Sequence, residues 1–279
     1  MIAFDEKDPR PVPKVEDQDG TTLVRLVGVM RRLLAPNGCP WDREQSLETL
    51  RKYVLEEACE VIDAIDSGNR EAVREELGDL LLQVVFQAEL LRKEGQFAID
   101  DVIAGIVDKL VSRHPHVFGD GDVKADTADE VLTNWEKLKA KEKKGRGILA
   151  GVPRSLPALV RSQRIGEKVS RVGFDWPDSR GSFDKVHEEI AELERAIESG
   201  DAKAKEEELG DALFALVNLA RHMNIDAEGA LRRTIDKFTT RFAHVEERVK
   251  ENHGGFGEAG KLPLKTLDAY WEEAKANRR

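Results

Sequence analysis

A 279-residue chain with a formal charge of −10, 40% hydrophobic and 35% charged residues, is excluded as a general nucleic-acid binder, because counterion release needs a basic surface. No apolar run approaches the roughly 18 residues of a membrane span. Residues 1–20, with Pro9, Pro11, Pro13 and many acids, lack the apolar centre of a signal peptide and read as a disordered tail. Cys39 and Cys59 have neither C-x-x-C spacing nor a disulfide framework, which predicts a reducing, cytoplasmic setting. The 3.6-residue apolar period predicts helices over 21–35, 44–66, 70–93, 99–113 and 128–143, and no alternating strand. The same order returns over 156–171, 182–198, 202–223, 227–251 and 265–276. The glycine- and proline-rich stretch Lys143–Pro157 is the predicted boundary. It places a first helical domain at 21–144, a linker at 145–157 and a second helical domain at 158–279. The expected fold is all-α, a tandem repeat of related helical domains.

The repeat is written in acids. Glu57, Glu60, Glu76 and Asp79 form E-x-x-E then E-x-x-D, and Glu189, Glu192, Glu208 and Asp211 repeat it 132 positions later. Gly68 and Gly200 stand where a helix should stop. Asn69 and Asp201 follow as caps for the next helix, so each half encodes a helical hairpin with one acidic pair on each arm. Residues three apart share a helix face, so a tight turn lets all four carboxylates converge. Such a group stays partly protonated unless a cation neutralises it.

The bland reading of E-x-x-E is a solvated helix face. Three features favour a metal cage instead. The spacing recurs on equivalent arms. The helix carrying Glu208 and Asp211 runs on as Leu-Gly-Asp-Ala-Leu-Phe-Ala-Leu-Val-Asn-Leu-Ala, apolar almost all round, so Asp211 and Asn218 are expected to be embedded and in need of partners. Gly78 and Gly210 sit inside helices at a cost of about 1 kcal/mol each, as if a backbone or a ligand came close. Oxygen-only ligands select magnesium, with manganese as a substitute, over zinc or copper. A di-iron site wants Glu-x-x-His, and no histidine stands three residues after a glutamate. The Asp-rich box of a helical isoprenoid enzyme is approached only by Asp100 and Asp101, which read as a helix start. His114 and His116, either side of Pro115, read as structural.

Basic residues in the second half point to a polyphosphate shared between metal and cations. Lys185 lies one turn before Glu188 and Glu189, and Lys205 three residues before Glu208. Arg221 follows Asn218 on one helix, and Lys237 and Arg241 form an i, i+4 pair on the next. In the first half Tyr53, Val73, Phe86 and Glu89 replace Lys185, Lys205, Asn218 and Arg221, while Lys109 and Arg113 match Lys237 and Arg241. The second half is therefore expected to carry most of the catalysis.

These residues resemble the MazG nucleoside triphosphate pyrophosphohydrolases, in their two-domain form, from about residue 21 to 276. The carrying motifs are Gly38-Cys-Pro-Trp-Asp-Arg-Glu-Gln45, both acidic units, Arg171-Val-Gly-Phe-Asp-Trp176, Asn218-Leu-Ala-Arg221 and Lys237-Phe-Thr-Thr-Arg241. One departure is a second unit two residues shorter between its acidic pairs than in that form, a difference that falls near Gly200. The resemblance implies magnesium-dependent hydrolysis of nucleoside triphosphates to monophosphate and pyrophosphate, broad in base and extending to noncanonical nucleotides. It also implies a homodimer whose helices complete each bundle. Carried over residue by residue, it makes Glu189, Glu192, Glu208 and Asp211 the magnesium ligands, and with Lys185 the catalytic set. Lys185, Glu188, Lys237, Arg241 and Trp271 would contact the nucleotide. Trp271, matched by Trp135, reads equally well as a core anchor for the last helix, and Trp41 and Trp176 as props for the loop entering each hairpin. The rival reading, from another class, is an acidic helical interaction protein without catalysis.

Overall fold

The computed structural model describes residues 22–119, 127, 130–131 and 147–276. The predicted tail, most of the 128–143 helix with Trp135, and the start of the linker lie outside the described residues. Among those described there are helices and no strand, and the all-α tandem repeat is as expected. The chain divides into two compact units, Met1–Glu142 and Lys143–Arg279.

The first unit runs α1 (Leu23–Leu33), α2 (Pro40–Arg43), α3 (Leu47–Ser67), α4 (Arg70–Lys93), α5 (Ile99–Arg113) and α6 (Pro115–Phe118). Ser46 starts α3 with a capping box: its side chain accepts from Thr49 N, and Ser46 N donates to the Thr49 hydroxyl at 2.8 Å. Gly68 takes φ +72° at the end of α3, a left-handed conformation other side chains resist. Asn69 then accepts from the backbone N–H groups of Glu71 and Ala72 to open α4. The hairpin α3–α4 results. Val27 and Met30 of α1, with Leu34 just beyond it, pack with Leu50 of α3 and Val85, Phe86 and Ala88 of α4 to form the core. Inside that core Glu89 is completely buried, with Arg31 at 2.9 Å and Arg92 at 2.6 Å. Asp101 accepts from Ala98 N at 2.8 Å, confirming Asp100 and Asp101 as a helix start. His114 is held by the Leu110 carbonyl at 2.6 Å and stacks near His116, which fits their structural reading.

The second unit runs α7 (Ala158–Ser170), α8 (Ser179–Ser199), α9 (Ala202–His222), α10 (Ala227–His253), α11 (Phe256–Ala259) and α12 (Leu264–Ala276). Its hairpin, α8–α9, repeats the first: Gly200 at φ +75°, then Asp201 accepting from Lys203 N and Ala204 N. The turn near Gly200 is thus the same tight turn as at Gly68. Helix α7 packs on α9, and α12 lies along α10. Most buried apolar residues here are small, namely Ala196, Ala212, Ala215, Val217, Val245, Val249 and Ala274, with Leu219 the larger exception.

Both units leave matching apolar stripes uncovered. Leu77, Leu81 and Val84 on α4 correspond to Leu209, Leu213 and Leu216 on α9, all between 42% and 51% exposed. Leu231, Ile235, Phe238 and Phe242 make a second exposed stripe along α10. Apolar stripes on an open helix face are the kind of surface that mediates helix packing or association.

Candidate metal and nucleotide site

Helix α8 carries Lys185, Glu188, Glu189 and Glu192, and the facing arm α9 carries Lys205, Glu208, Asp211, Asn218 and Arg221. The tight turn brings Glu189, Glu208 and Asp211 together, each offering a carboxylate oxygen within 4.8 Å of the others. Glu189 is buried, Glu208 half-buried and Asp211 exposed. Asp211 therefore corrects the expectation of an embedded side chain: α9 is apolar all round, but only one side of it is covered in the single chain. Asn218 is half-buried.

The fourth acid stands aside. Glu192 is outside the trio and accepts from Arg195 at 3.1 Å. Three residues turn a helix about 60° short of a full circle, so Glu189 and Glu192 diverge. Glu192 is still close enough to act on Glu208. Burial, then the charges of Glu192, Asp211 and Glu189, push the Glu208 carboxyl above the usual range. The first unit repeats this with Glu57, Glu76 and Asp79 within 4.8 Å of one another. Burial and the neighbouring acids Asp79 and Glu60 push Glu57 up, and burial with Glu60 and Asp79 does the same to Glu76.

Glycines 78 and 210 fall beside these trios, but a Cβ at either would meet nothing within 4 Å. Among the described residues no backbone comes close to either, which leaves the ligand as the other half of the sequence argument. The space is open to a ligand or a second chain.

Lys185 is the counter-ion of the second trio, 2.7 Å from Glu189 and 2.9 Å from Glu188. Its hydrogen bonds to Glu189 and Glu188 hold its ammonium proton well above the ordinary value. Lys205 is half-buried on α9, three residues before Glu208. On α10, Lys237 lines a shallow groove of about 460 Å³ with Arg233, Thr234 and Thr240. Arg241 lies 5.8 Å over the Trp271 ring, and its buried Nε has no hydrogen-bond partner. Trp271 packs on Phe238 with ring centroids 5.0 Å apart. It therefore anchors α12 while sharing a surface with Lys237 and Arg241.

Arg221 does something the spacing did not reveal. Its guanidinium donates to both oxygens of Asp175, at 2.9 and 2.6 Å, and to Asn218 Oδ1. His222 Nε2 also reaches Asp175, at 2.9 Å. Burial raises the Asp175 carboxyl, but hydrogen bonds and charge from Arg221 and His222 outweigh it and hold the group below the usual range. Arg221 and Asn218, expected at the nucleotide, hold the loop before α8 in the structure. Trp176, the next residue, packs edge-on to His222 and against Gly181, where any Cβ would collide with its ring. Asp175 and His222 were missed because 46 residues separate Asp175 from Arg221. Only the motif Arg171-Val-Gly-Phe-Asp-Trp176 marked the place.

All donors of both trios are carboxylate oxygens, and burial with crowding raises the proton affinity of Glu57, Glu76 and Glu208, so each trio fits a hard divalent cation such as magnesium or manganese.

Comparison with known proteins agrees with this geometry. Residues 45–118 and 182–246 each match the MazG nucleotide pyrophosphohydrolase domain, one match per hairpin. The chain is 44% identical over 258 residues to the nucleoside triphosphate pyrophosphohydrolase/pyrophosphatase MazG of Thermotoga maritima, covering 92% of this chain and 96% of that one. It is 45% identical over 257 residues to the nucleoside triphosphate pyrophosphohydrolase of Escherichia coli, covering 90% and 96%. The uncharacterized protein YabN of Bacillus subtilis is 43% identical over 90% of this chain, which spans 51% of that protein. With the acidic hairpin present twice and the likeness running almost end to end, the chain belongs to the MazG family of nucleotide pyrophosphohydrolases.

Proposed function

We propose that the chain hydrolyses nucleoside triphosphates to monophosphate and pyrophosphate with magnesium, chiefly in its second domain, residues 158–279. The observation that carries this is the trio of Glu189, Glu208 and Asp211 with Lys185 beside it. Glu189, Glu208 and Asp211 would hold the ion, with Glu192 at its margin; manganese is the expected substitute. When bound, magnesium neutralises and polarises the triphosphate.

The residues do the rest. Lys185 exchanges its partner Glu189 for a phosphate oxygen and carries charge in the departing pyrophosphate. Glu188, released from the same lysine, faces the nucleotide. Lys237 and Arg241 neutralise further phosphate charge. A carboxylate of the cage takes the proton from water as its oxygen attacks the α-phosphorus. The bond from that phosphorus to the bridging oxygen breaks, and pyrophosphate leaves with the electron pair. Trp271 and Phe238 offer flat apolar surface rather than base-edge hydrogen bonds, which supports breadth in base and acceptance of noncanonical nucleotides.

The repeated apolar stripes support a homodimer. Two free cysteines suit a cytoplasmic setting. Among the described residues no helix is long and apolar enough to cross a membrane. Incubation with ATP, with and without magnesium, tests the activity. AMP and pyrophosphate only with the metal is the expected result. ADP and phosphate would overturn the assigned bond, and no turnover would favour the non-catalytic acidic interaction protein.

A further inference from the structure

The two units treat one helix crossing in different ways. In the first, Arg31 of α1 donates to Glu89 of α4 at 2.9 Å. Aligning Gly38-Cys-Pro-Trp41 with Gly173-Phe-Asp-Trp176 puts Gly166 of α7 at the place of Arg31. The hairpin repeat puts Arg221 of α9 at the place of Glu89. These positions face each other in the second unit too: a Cβ on Gly166 would stand 3.0 Å from Arg221 Nε and 3.2 Å from Asn218 Oδ1. Glycine cannot pair, so the arginine passes over it and ends on the loop before α8. There Nη1 and Nη2 donate to the two Asp175 oxygens at 2.9 and 2.6 Å, while Nε donates to Asn218. The side chains of Arg221, Asp175 and His222 are only 13%, 19% and 10% exposed. In the first unit Pro40 stands where Asp175 does and offers no side-chain acceptor.

What this network holds lies one turn from Lys185. Trp176 follows Asp175, meets His222 edge-on with ring centroids 6.5 Å apart, and lies over Gly181, where a Cβ would collide with its ring. Gly181 and Lys185 are four residues apart and share a face of α8. In the first unit the loop tryptophan, Trp41, packs instead on Tyr53, the residue at the place of Lys185, with ring centroids 6.0 Å apart. A lysine that must serve Glu189 and then a phosphate offers no ring to lean on. The second unit therefore props its helix one turn earlier, and the prop takes its support from Arg221.

We infer that Asp175, Arg221 and His222 form a clamp that positions Lys185 for the reaction, acting through Trp176 and the first turns of α8, with Gly166 leaving the room that Arg221 needs. They are positioning residues: every nitrogen of the Arg221 guanidinium is already engaged within the chain. The inference rests on the role given to Lys185 above. A displaced Lys185 would stabilise the departing pyrophosphate less while ground-state binding changed little, so the loss falls on kcat rather than on KM.

The test combines steady-state ATP hydrolysis by the full chain with hydrogen exchange. Asp175→Ala should lower kcat by about 10- to 100-fold and change KM by less than about twofold. Arg221→Lys should act in the same direction, because lysine keeps the charge and loses the fork. Gly166→Arg combined with Arg221→Glu transplants the pair of the first unit. It should restore much of the melting temperature lost in Arg221→Ala while kcat stays low. Full kcat in that double variant, or in a folded Asp175→Ala, would overturn the proposal and leave the network as packing alone. Amide exchange needs no substrate, and residues 176–185 should exchange about 10-fold faster in Asp175→Ala. Unchanged exchange there would also overturn the proposal, whatever hydrolysis shows. A native chain that turned over no triphosphate would strike the pyrophosphohydrolase reading, and the exchange result would still decide the clamp.

Discussion

Glu208 is where the chemistry is most exposed to a single change. It sits between Glu189 and Asp211, and neutralising it removes one of three oxygens that a hard cation needs. Glu208→Gln should lower the rate of triphosphate hydrolysis by about 100-fold or more while helix content by circular dichroism stays the same. The same carboxyls predict a pH signature. Glu57, Glu76 and Glu208 all have folded values above their ordinary ones. A raised carboxyl favours the folded state only while protonated, and that contribution is lost as pH rises through the folded value. Metal-free protein should therefore lose thermal stability as pH rises from the ordinary carboxylate range through the raised folded values. Magnesium replaces the protons, so its stabilising effect should grow over the same interval. Melting curves with and without the ion measure both. A magnesium effect that shrank with rising pH would contradict the cage.

At the scale of elements, the sequence was legible wherever local chemistry decided the outcome. Helices α4 and α5 fall at 70–93 and 99–113, as the apolar period predicts. The stops at Gly68 and Gly200 and the caps at Asn69 and Asp201 are likewise formed as predicted. The short helices α2, α6 and α11 were not legible, since four residues hold no period. The acidic trios were legible as quartets only, because spacing of three fixes a shared face and not the 60° by which Glu189 and Glu192 part. Least legible was the staple of Asp175 to Arg221 and His222, formed across 46 residues by the packing of a loop on α9. It yields its own prediction. Asp175→Ala leaves a guanidinium half satisfied and frees the entry to α8, which carries Lys185. It should cost about 1–2 kcal/mol, the pair lying near the surface, and denaturant unfolding reads that loss. Glu89→Leu in the first unit should cost more, about 3–5 kcal/mol, because it removes the carboxylate that Arg31 and Arg92 share at a fully buried position.

For the whole molecule the question is what covers the apolar stripes. Leu209, Leu213 and Leu216 recur at four- and three-residue steps on α9, and Leu77, Leu81 and Val84 repeat them on α4. A stripe of that period is the seam of a helix bundle. Its repetition in both halves argues against accidental exposure. Asp211 stands two residues from Leu209, on nearly the opposite face of α9, so a helix laid on the stripe would pack behind the trio and leave it open to substrate. The proposed homodimer would complete the core that holds the acidic hairpin in place, so assembly and activity should fail together. Leu213→Glu places a charge in the middle of the seam without touching an acidic ligand. Sedimentation should show the dimer shifted to monomer, and hydrolysis should fall with the monomer fraction. Full activity in a variant shown to be monomeric would mean that one chain suffices, and the stripe would then need another occupant.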